Sequence, residues 1–315
     1  MKEDQRTYDI TREERSIQDN IADGYPARHI PRESGEYPER MRELSGMPAG
    51  LYVKGRLPQE GVPTAAIVGA RGCSSYGRNM AREFARVLSN AGVQIISGLA
   101  LGIDGEAHVG ALAGNTATFS VLACDVDTCY PRSNIRLYRR ILEQSGGIIG
   151  EQPPGMPPFP QYFPARNRII SALADLVLVV EARKRSGALI TADFALEQGR
   201  NVYAVPGRVG DVLSEGCNRL ISQGAGIAWS PEVLLDELHV TGSWEYQKSR
   251  IRNVSREAAC VYKYLENTPV SLEDLICRIS YSPQEIMEAL LELQLEGLAI
   301  EVTKGRYIRS SEYSD

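Results

Sequence analysis

The sequence predicts an α/β chain: a doubly wound, mostly parallel sheet followed by a small unit of three helices and a two-stranded wing. Three observations predict it. Short apolar runs without polar–apolar alternation recur between Ala65 and Val205, as in strands buried on both faces. Stretches with helical spacing separate them, so strand and helix take turns along the chain. After residue 253 the pattern gives way to three short helical segments and two strands joined by Thr303-Lys304-Gly305.

Residues 1–36 are polar, mixed in charge and aperiodic, and are expected to form a flexible leader. An amphipathic turn and a short edge strand at 51–54 follow. The core opens with a strand at 65–69, a glycine-containing turn, and a helix at 77–90 that places Met80, Ala81, Phe84, Val87 and Leu88 on one side. A strand at 93–97, a second glycine-containing turn and a helix carrying Asp104 and His108 complete the next unit. Strands at 116–123 and 147–152 flank a helix at 134–145, and a proline-rich loop spans 153–164. A helix at 165–174, strand 176–181, helix 188–198 and strand 201–205 continue the alternation. A helix at 215–222, a short strand at 227–229 and a helix at 231–238 close a domain read as 37–240. A polar linker, 241–253, leads to the winged helix-turn-helix at 254–310. Its helices start at Ser271 and Ser282, each followed three residues later by an acid that completes a capping signal.

At 315 residues the chain has room for one large core and a satellite. It has no run of about 18 apolar residues and no signal peptide, so a cytoplasmic protein away from membranes is expected. Six cysteines without a CxxC pair read as reduced thiols, with no metal site. The net charge of −5 argues against a nucleic-acid partner until its distribution is considered. Between 64 and 240 every basic residue except Lys184 is Arg, whose planar fork suits phosphate and whose flat face suits a base. These residues cluster as Arg132, Arg136, Arg139 and Arg140, then Arg166 and Arg168, then Arg183 to Arg185. For Arg136, Arg139 and Arg140 a solvated helix face is an equal reading.

Each glycine-containing turn lies between a strand's carboxyl end and a helix's amino end, where exposed N–H groups favour an anion. The first turn, Gly69-Ala70-Arg71-Gly72, lacks GxGxxG, and the second strand ends in Ser97-Gly98 without an acid for a ribose. Phosphate, not a dinucleotide, is the expected guest. Topology brings further loops to the same rim: Arg132 and Asn134, Phe163 with Arg166, Asn167 and Arg168, and Ser186-Gly187. An aromatic there can stack on an unpaired base, an Asn can read a base edge, and Arg can meet phosphates. The competing reading buries Phe163 and pairs the two Arg with Glu151 or Glu181. Ser97, Asp104 and His108 invite comparison with a hydrolase triad, but no nucleophile elbow surrounds them, and Asp104 is read as a helix cap. Asp125 and Asp127 are read as surface-loop residues. No catalytic residue, metal or cofactor is assigned.

The ordered motifs Ser97-Gly98-Leu99-Ala100-Leu101-Gly102-Ile103-Asp104, Tyr130-Pro131 with Asn134, Phe163 to Arg168, Glu181-Ala182 with Ser186-Gly187, and Gly199-Arg200 with Pro206-Gly207 resemble the DprA/Smf family of bacterial DNA-processing proteins. The resemblance spans about 37–309. It implies an extended Rossmann-like, doubly wound domain that binds single-stranded DNA, forms a homodimer and helps load a RecA-type recombinase in natural transformation. It further implies DNA contacts at Gly69, Arg71, Ser97, Gly98, Arg132, Asn134, Phe163, Arg166, Asn167, Arg168, Ser186 and Gly187. Its dimer contacts map loosely to Leu220, Ile221 and 234–238, including Leu234 and Leu235. The leader is too short and polar for the helical N-terminal domain of many members. The third helix of the winged unit carries Glu285, Glu288, Glu292 and Glu296, which would repel duplex phosphates, so a protein-interaction module is expected. The rival reading, a nucleotide-binding or nucleoside-monophosphate-cleaving enzyme, expects PGGxGTxxE. Here Pro206-Gly207-Arg208-Val209-Gly210-Asp211 lacks the glycine pair and the glutamate.

Overall fold

The computed structural model describes residues 24–240, 254–266 and 268–309. The first stretch builds a nine-stranded sheet in the order β1-β2-β6-β5-β4-β3-β7-β8-β9. Its strands are β1 (Arg28–Pro31), β2 (Gly50–Gly55), β3 (Thr64–Val68), β4 (Gln94–Ser97), β5 (Thr118–Leu122), β6 (Gly147–Gly150), β7 (Leu176–Val179), β8 (Asn201–Ala204) and β9 (Gly226–Ile227). From β6 across to β9 every neighbouring pair is parallel. β2 lies antiparallel on β6, and β1 antiparallel on β2.

The unalternating apolar runs are strands covered on both sides. Ala65, Ile67, Leu176 and Leu178 enter one core, and Ala66, Val68, Val177 and Val179 the other. The short α1 (Glu39–Arg42) puts Met41 into the second core, and on the first face lie α2 (Ser75–Asn90), α3 (Ile103–Leu112) and, over the outer strands, α4 (Ile135–Glu143). The opposite face carries α5 (Tyr162–Ala172), α6 (Gly187–Glu197) and α7 (Glu215–Ser222), while α8 (Pro231–Glu237) returns to the first. From β3 the chain winds outward through β4, β5 and β6. α5 then carries it back to β7 on the other side of β3. Connections therefore leave β3 and β7 in opposite directions, and a crevice opens between their carboxyl ends.

Two expectations are corrected. A flexible leader through residue 36 is not what the chain forms: Arg28–Pro31 is an edge strand with Ile30 buried, and the Tyr37 hydroxyl donates to the Pro48 carbonyl at 3.0 Å. Its remaining residues 1–23, and the linker 241–253, lie outside the described residues. The loose dimer mapping also fails at three positions. Leu220, Leu234 and Leu235 are buried in this chain's own cores, because α7 and α8 turn their leucine faces to the sheet. Ile221 is half-buried.

The C-terminal unit is a winged helix: α9 (Arg256–Tyr264), β10 (Val270–Ser271), α10 (Leu272–Arg278), α11 (Pro283–Leu295), β11 (Ala299–Thr303) and β12 (Arg306–Arg309), with sheet order β10-β12-β11. Ser271 caps α10, accepting from the Asp274 N–H at 3.1 Å, and Ser282 and Glu285 form a reciprocal capping box on α11. Strand β10, only two residues long, had no signal in the sequence. Among the described residues no helix is long and apolar enough to cross a membrane.

Gly102, the residue before α3, has φ +75° and ψ −133°, a region nearly closed to other residues. A Cβ there would also strike the carbonyl oxygens of Ala70 and Arg71. Gly102→Ala is expected to cost about 2–3 kcal/mol. Calorimetry should show Tm lower by roughly 5–10 °C.

Candidate functional site

The two turns at the crevice are pinned by buried polar groups. After β7, Glu181 reaches across to the first turn, where its carboxylate accepts from the Ser74 N–H at 2.9 Å and the Ser74 hydroxyl at 2.5 Å. The Ala70 N–H donates to the Glu181 carbonyl at 2.8 Å. Ser74 also caps α2, accepting from the Gly77 N–H at 3.0 Å. With those duties taken by its neighbours, Arg71 is left exposed on the loop.

The second turn carries a left-handed, fully buried Leu99 at φ +56°. Asn134 holds it in place: its side-chain amide donates to the Leu99 carbonyl at 2.9 Å and the Ala100 carbonyl at 3.3 Å. Below it, Arg166 on α5 donates to the carbonyls of Gly98 (2.9 Å) and Val121. The guanidinium faces the Asp104 carboxylate, at which the Gly69 and Gly98 N–H groups also point. Asp104 is not the cap of α3, since Gly102 occupies that position. It ties two turns and a helix together instead. Burial raises the Asp104 carboxyl against the opposing pull of Arg166 and Arg71, and burial lowers Arg166 to about 10.

At the rim, the Arg71 guanidinium lies over the Phe163 ring, 5.0 Å from its centroid. Tyr130 meets the same ring at 5.6 Å in a tilted arrangement. The crevice here, about 220 Å³, is lined by Gly69, Arg71, Phe163, Arg166, Asn167 and the Ser186-Gly187 turn that opens α6. Ser186 caps that helix, accepting from the Ala188 N–H at 3.3 Å. A smaller recess of about 70 Å³ adjoins it between Tyr130, Phe163 and Leu101. The site therefore joins an exposed guanidinium, an aromatic face and the N-terminus of an eleven-residue helix.

The structure thus gathers Gly69, Arg71, Gly98, Phe163, Arg166, Asn167, Ser186 and Gly187. Other predicted residues have different places. The Ser97 hydroxyl is buried and donates to the Ile67 carbonyl at 2.6 Å. Arg168 turns away, its Nη2 donating to both oxygens of Glu151 at 2.8 and 2.7 Å, so the competing ion-pair reading holds for it. The Asn167 amide donates to the Gly187 carbonyl at 3.1 Å and accepts from Arg166 Nε at 3.3 Å, so one donor and one acceptor position are engaged inside the fold. Arg132 is exposed on the 3₁₀ turn Arg132–Asn134, beside the recess that Pro131 lines. The sequence reading missed Asp104 and Glu181 as the ties of this rim.

Asp125 and Asp127 serve separate partners, the Gly155 N–H at 2.8 Å and Lys54 Nζ at 2.6 Å. Burial pushes the thiols of Cys124, Cys129 and Cys217 up to about 12, far from the thiolate needed for nucleophilic or metal chemistry. Among the described residues no group of three or more His, Cys, Asp or Glu side chains is placed to hold a metal ion.

Comparison with known proteins bears on this geometry. Residues 28–239 match the family described as DNA recombination-mediator protein A, and 247–303 match the DprA winged helix domain. Protein Smf of Escherichia coli K12 is 40% identical over 290 residues, 89% of this chain and 76% of that protein. The X-ray structure of DNA processing protein A from Streptococcus pneumoniae superposes with a TM-score of 0.63 at 38% identity, covering 70% of this chain and 76% of that one. A structure of DNA processing protein A from Helicobacter pylori, described for its single-stranded DNA binding mode, gives a TM-score of 0.61 at 28% identity, covering 68% and 96%.

His108 supplies a pH test of the packing under the site. Its Nδ1 lies 2.7 Å from Thr118 Oγ1, and burial, with Arg166 nearby, lowers its pKa to about 3. The Thr118 hydroxyl donates to the Ile95 carbonyl at 2.9 Å, so Nδ1 carries the proton. The unfolded chain protonates near 6.5, while the folded one resists. This contribution is therefore complete above pH 6.5 and lost as pH falls toward 3, at up to about 1.4 kcal/mol per unit. His108→Asn keeps a donor for Thr118 and does not titrate. Its urea midpoint should fall less steeply than the parent's between pH 6 and 4; parallel curves would exclude a buried neutral His108.

Proposed function

The chain belongs to the DNA recombination-mediator protein A family and carries that family's winged-helix domain, and from that premise we propose that it is a non-enzymatic single-stranded DNA-binding protein. One observation carries the reading: the exposed Arg71 cation and the Phe163 ring meet at the mouth of the switch-point crevice. The strand's phosphates meet Arg71, the N–H groups of the turns after Gly69 and Gly98, and the start of α6. A base stacks on Phe163, flanked by Tyr130. Arg132 extends the cationic rim. Arg166 and Asn167 act from below by holding the turns in register, and Arg168 supports α5 through Glu151.

The family's description as a recombination mediator supports presentation of the strand to a RecA-type recombinase; we add that the chain acts as a cytoplasmic homodimer that protects incoming DNA during transformation or recombination. With Leu220, Leu234 and Leu235 inside the fold, the second copy is better met at the sheet's free edge. There Ile227 on β9 and Trp229 are exposed, at 48% and 72%. The winged helix serves as a protein-docking module. On α11, Met287, Leu291 and Leu295 form an exposed apolar stripe beside Glu288 and Glu296. Three of the four glutamates have partners within the unit: Glu285 in the capping box, Glu288 accepting from Gln284 at 3.0 Å, and Glu292 accepting from Ser255 at the start of α9.

Titration with labelled oligo-dT, duplex DNA and AMP at two salt concentrations tests the reading. The strand should bind, more weakly at higher salt, with duplex and AMP far behind. Phe163→Ala should lose about 1–3 kcal/mol from base stacking. Arg71→Ala should weaken binding and flatten the salt dependence. Unchanged oligo-dT affinity in both variants would remove this site, and release of adenine from AMP would favour a nucleotide-cleaving enzyme.

A further inference from the structure

Arg136 and Arg140, ambiguous in the sequence as a helix face, form one wall of a second groove. It measures about 520 Å³ and runs from the Arg71 rim between α2 and α4, with α3 as its floor. Arg78 and Arg82 on α2 stand four residues apart, about 6 Å along the axis, as do Arg136 and Arg140 on α4. Both pairs line the groove. The floor is left low where Gly105 gives α3 no side chain. Glu106, the acid among the lining residues, already pairs with Arg82 at 2.5 Å and Arg78 at 3.7 Å. Arg136 and Arg140 are exposed.

Arg71 and Leu101 line both this groove and the recess against Phe163, so the two form one continuous path. Its chemistry suits a polyanion. Five guanidinium groups spread along an open groove exceed what one phosphate or one mononucleotide can engage, and the lining offers no aromatic face to hold a single base. We propose that the groove between α2 and α4 carries the phosphodiester backbone of the same single strand beyond Phe163, lengthening the tract that one subunit covers by several nucleotides. This rests on the single-strand reading above and adds a direction: the strand leaves the Phe163 crevice over α3.

The test uses the full chain with labelled oligo-dT of about 5 and about 16 nucleotides, near the limits of what single-strand-binding folds hold. The double variant Arg136→Ala/Arg140→Ala should bind the long strand about tenfold more weakly at low salt. Its log–log salt slope should be shallower by about 1.4, for two lost phosphate contacts. Its affinity for the short strand should match the parent's. Arg136→Lys/Arg140→Lys should restore most of the slope, and an unchanged Tm in both variants would show that the fold is intact. A long-strand affinity equal to the parent's, or equal losses at both lengths, would overturn the groove and leave the Phe163 site standing. A parent protein that binds neither strand would overturn the single-strand reading itself, and the groove with it.

Discussion

The rim of this sheet depends on a buried guanidinium and the carboxylate facing it. Arg166 fastens α5 to the ends of β4 and β5 through the Gly98 and Val121 carbonyls, while Asp104 gathers the N–H groups of the turns after β3 and β4. Five elements, α3, α5, β3, β4 and β5, thus meet at one buried cation and the anion facing it. Without Asp104 the Arg166 guanidinium would keep its carbonyl partners but lose the opposing charge, and without Arg166 the carboxylate would keep its N–H donors but lose its cation, so either loss loosens the rim. The pair also leaves no room at Gly98. A Cβ there would lie 2.5 Å from Asp104 Oδ2 and 2.6 Å from Arg166 Nη2.

This core of polar ties lets the surface residues stay free. In an open parallel sheet the crevice falls where successive connections diverge, and here it falls between β3 and β7. Glu181 closes the base of that crevice by holding Ser74, Asn134 holds the second turn, and Asn167 holds the start of α6. Each loop end is anchored by a side chain from another element. Arg71, Phe163 and Tyr130 then project from positions that the backbone does not have to surrender to bind a ligand.

The order of strands and helices was legible because buried strands lack alternation and helices show their spacing. β1 was not legible, since Arg-His-Ile-Pro offers one buried apolar residue and gains its place only by pairing with β2. That Phe163 and Arg71 share a rim followed from topology alone. The roles within Arg166-Asn167-Arg168 did not, although the sequence held a clue: Arg166 lies three and four positions before Ile169 and Ile170, on the helix side that faces the core. Leu220 carried the same clue, three residues after Cys217 on the buried side of α7. The arginines of α2 and α4 are some 60 residues apart and come together only because both helices flank α3 on one face.

The Phe163 ring is covered on one side by the Arg71 cation. A neutral nucleoside arriving on that side has to displace Arg71 and brings no anion to pair with it. A strand brings phosphates that can draw the guanidinium aside as the base slides in. On the single-strand reading, the resting contact is therefore a gatekeeper, admitting polymer ahead of the free bases and nucleosides of a cell.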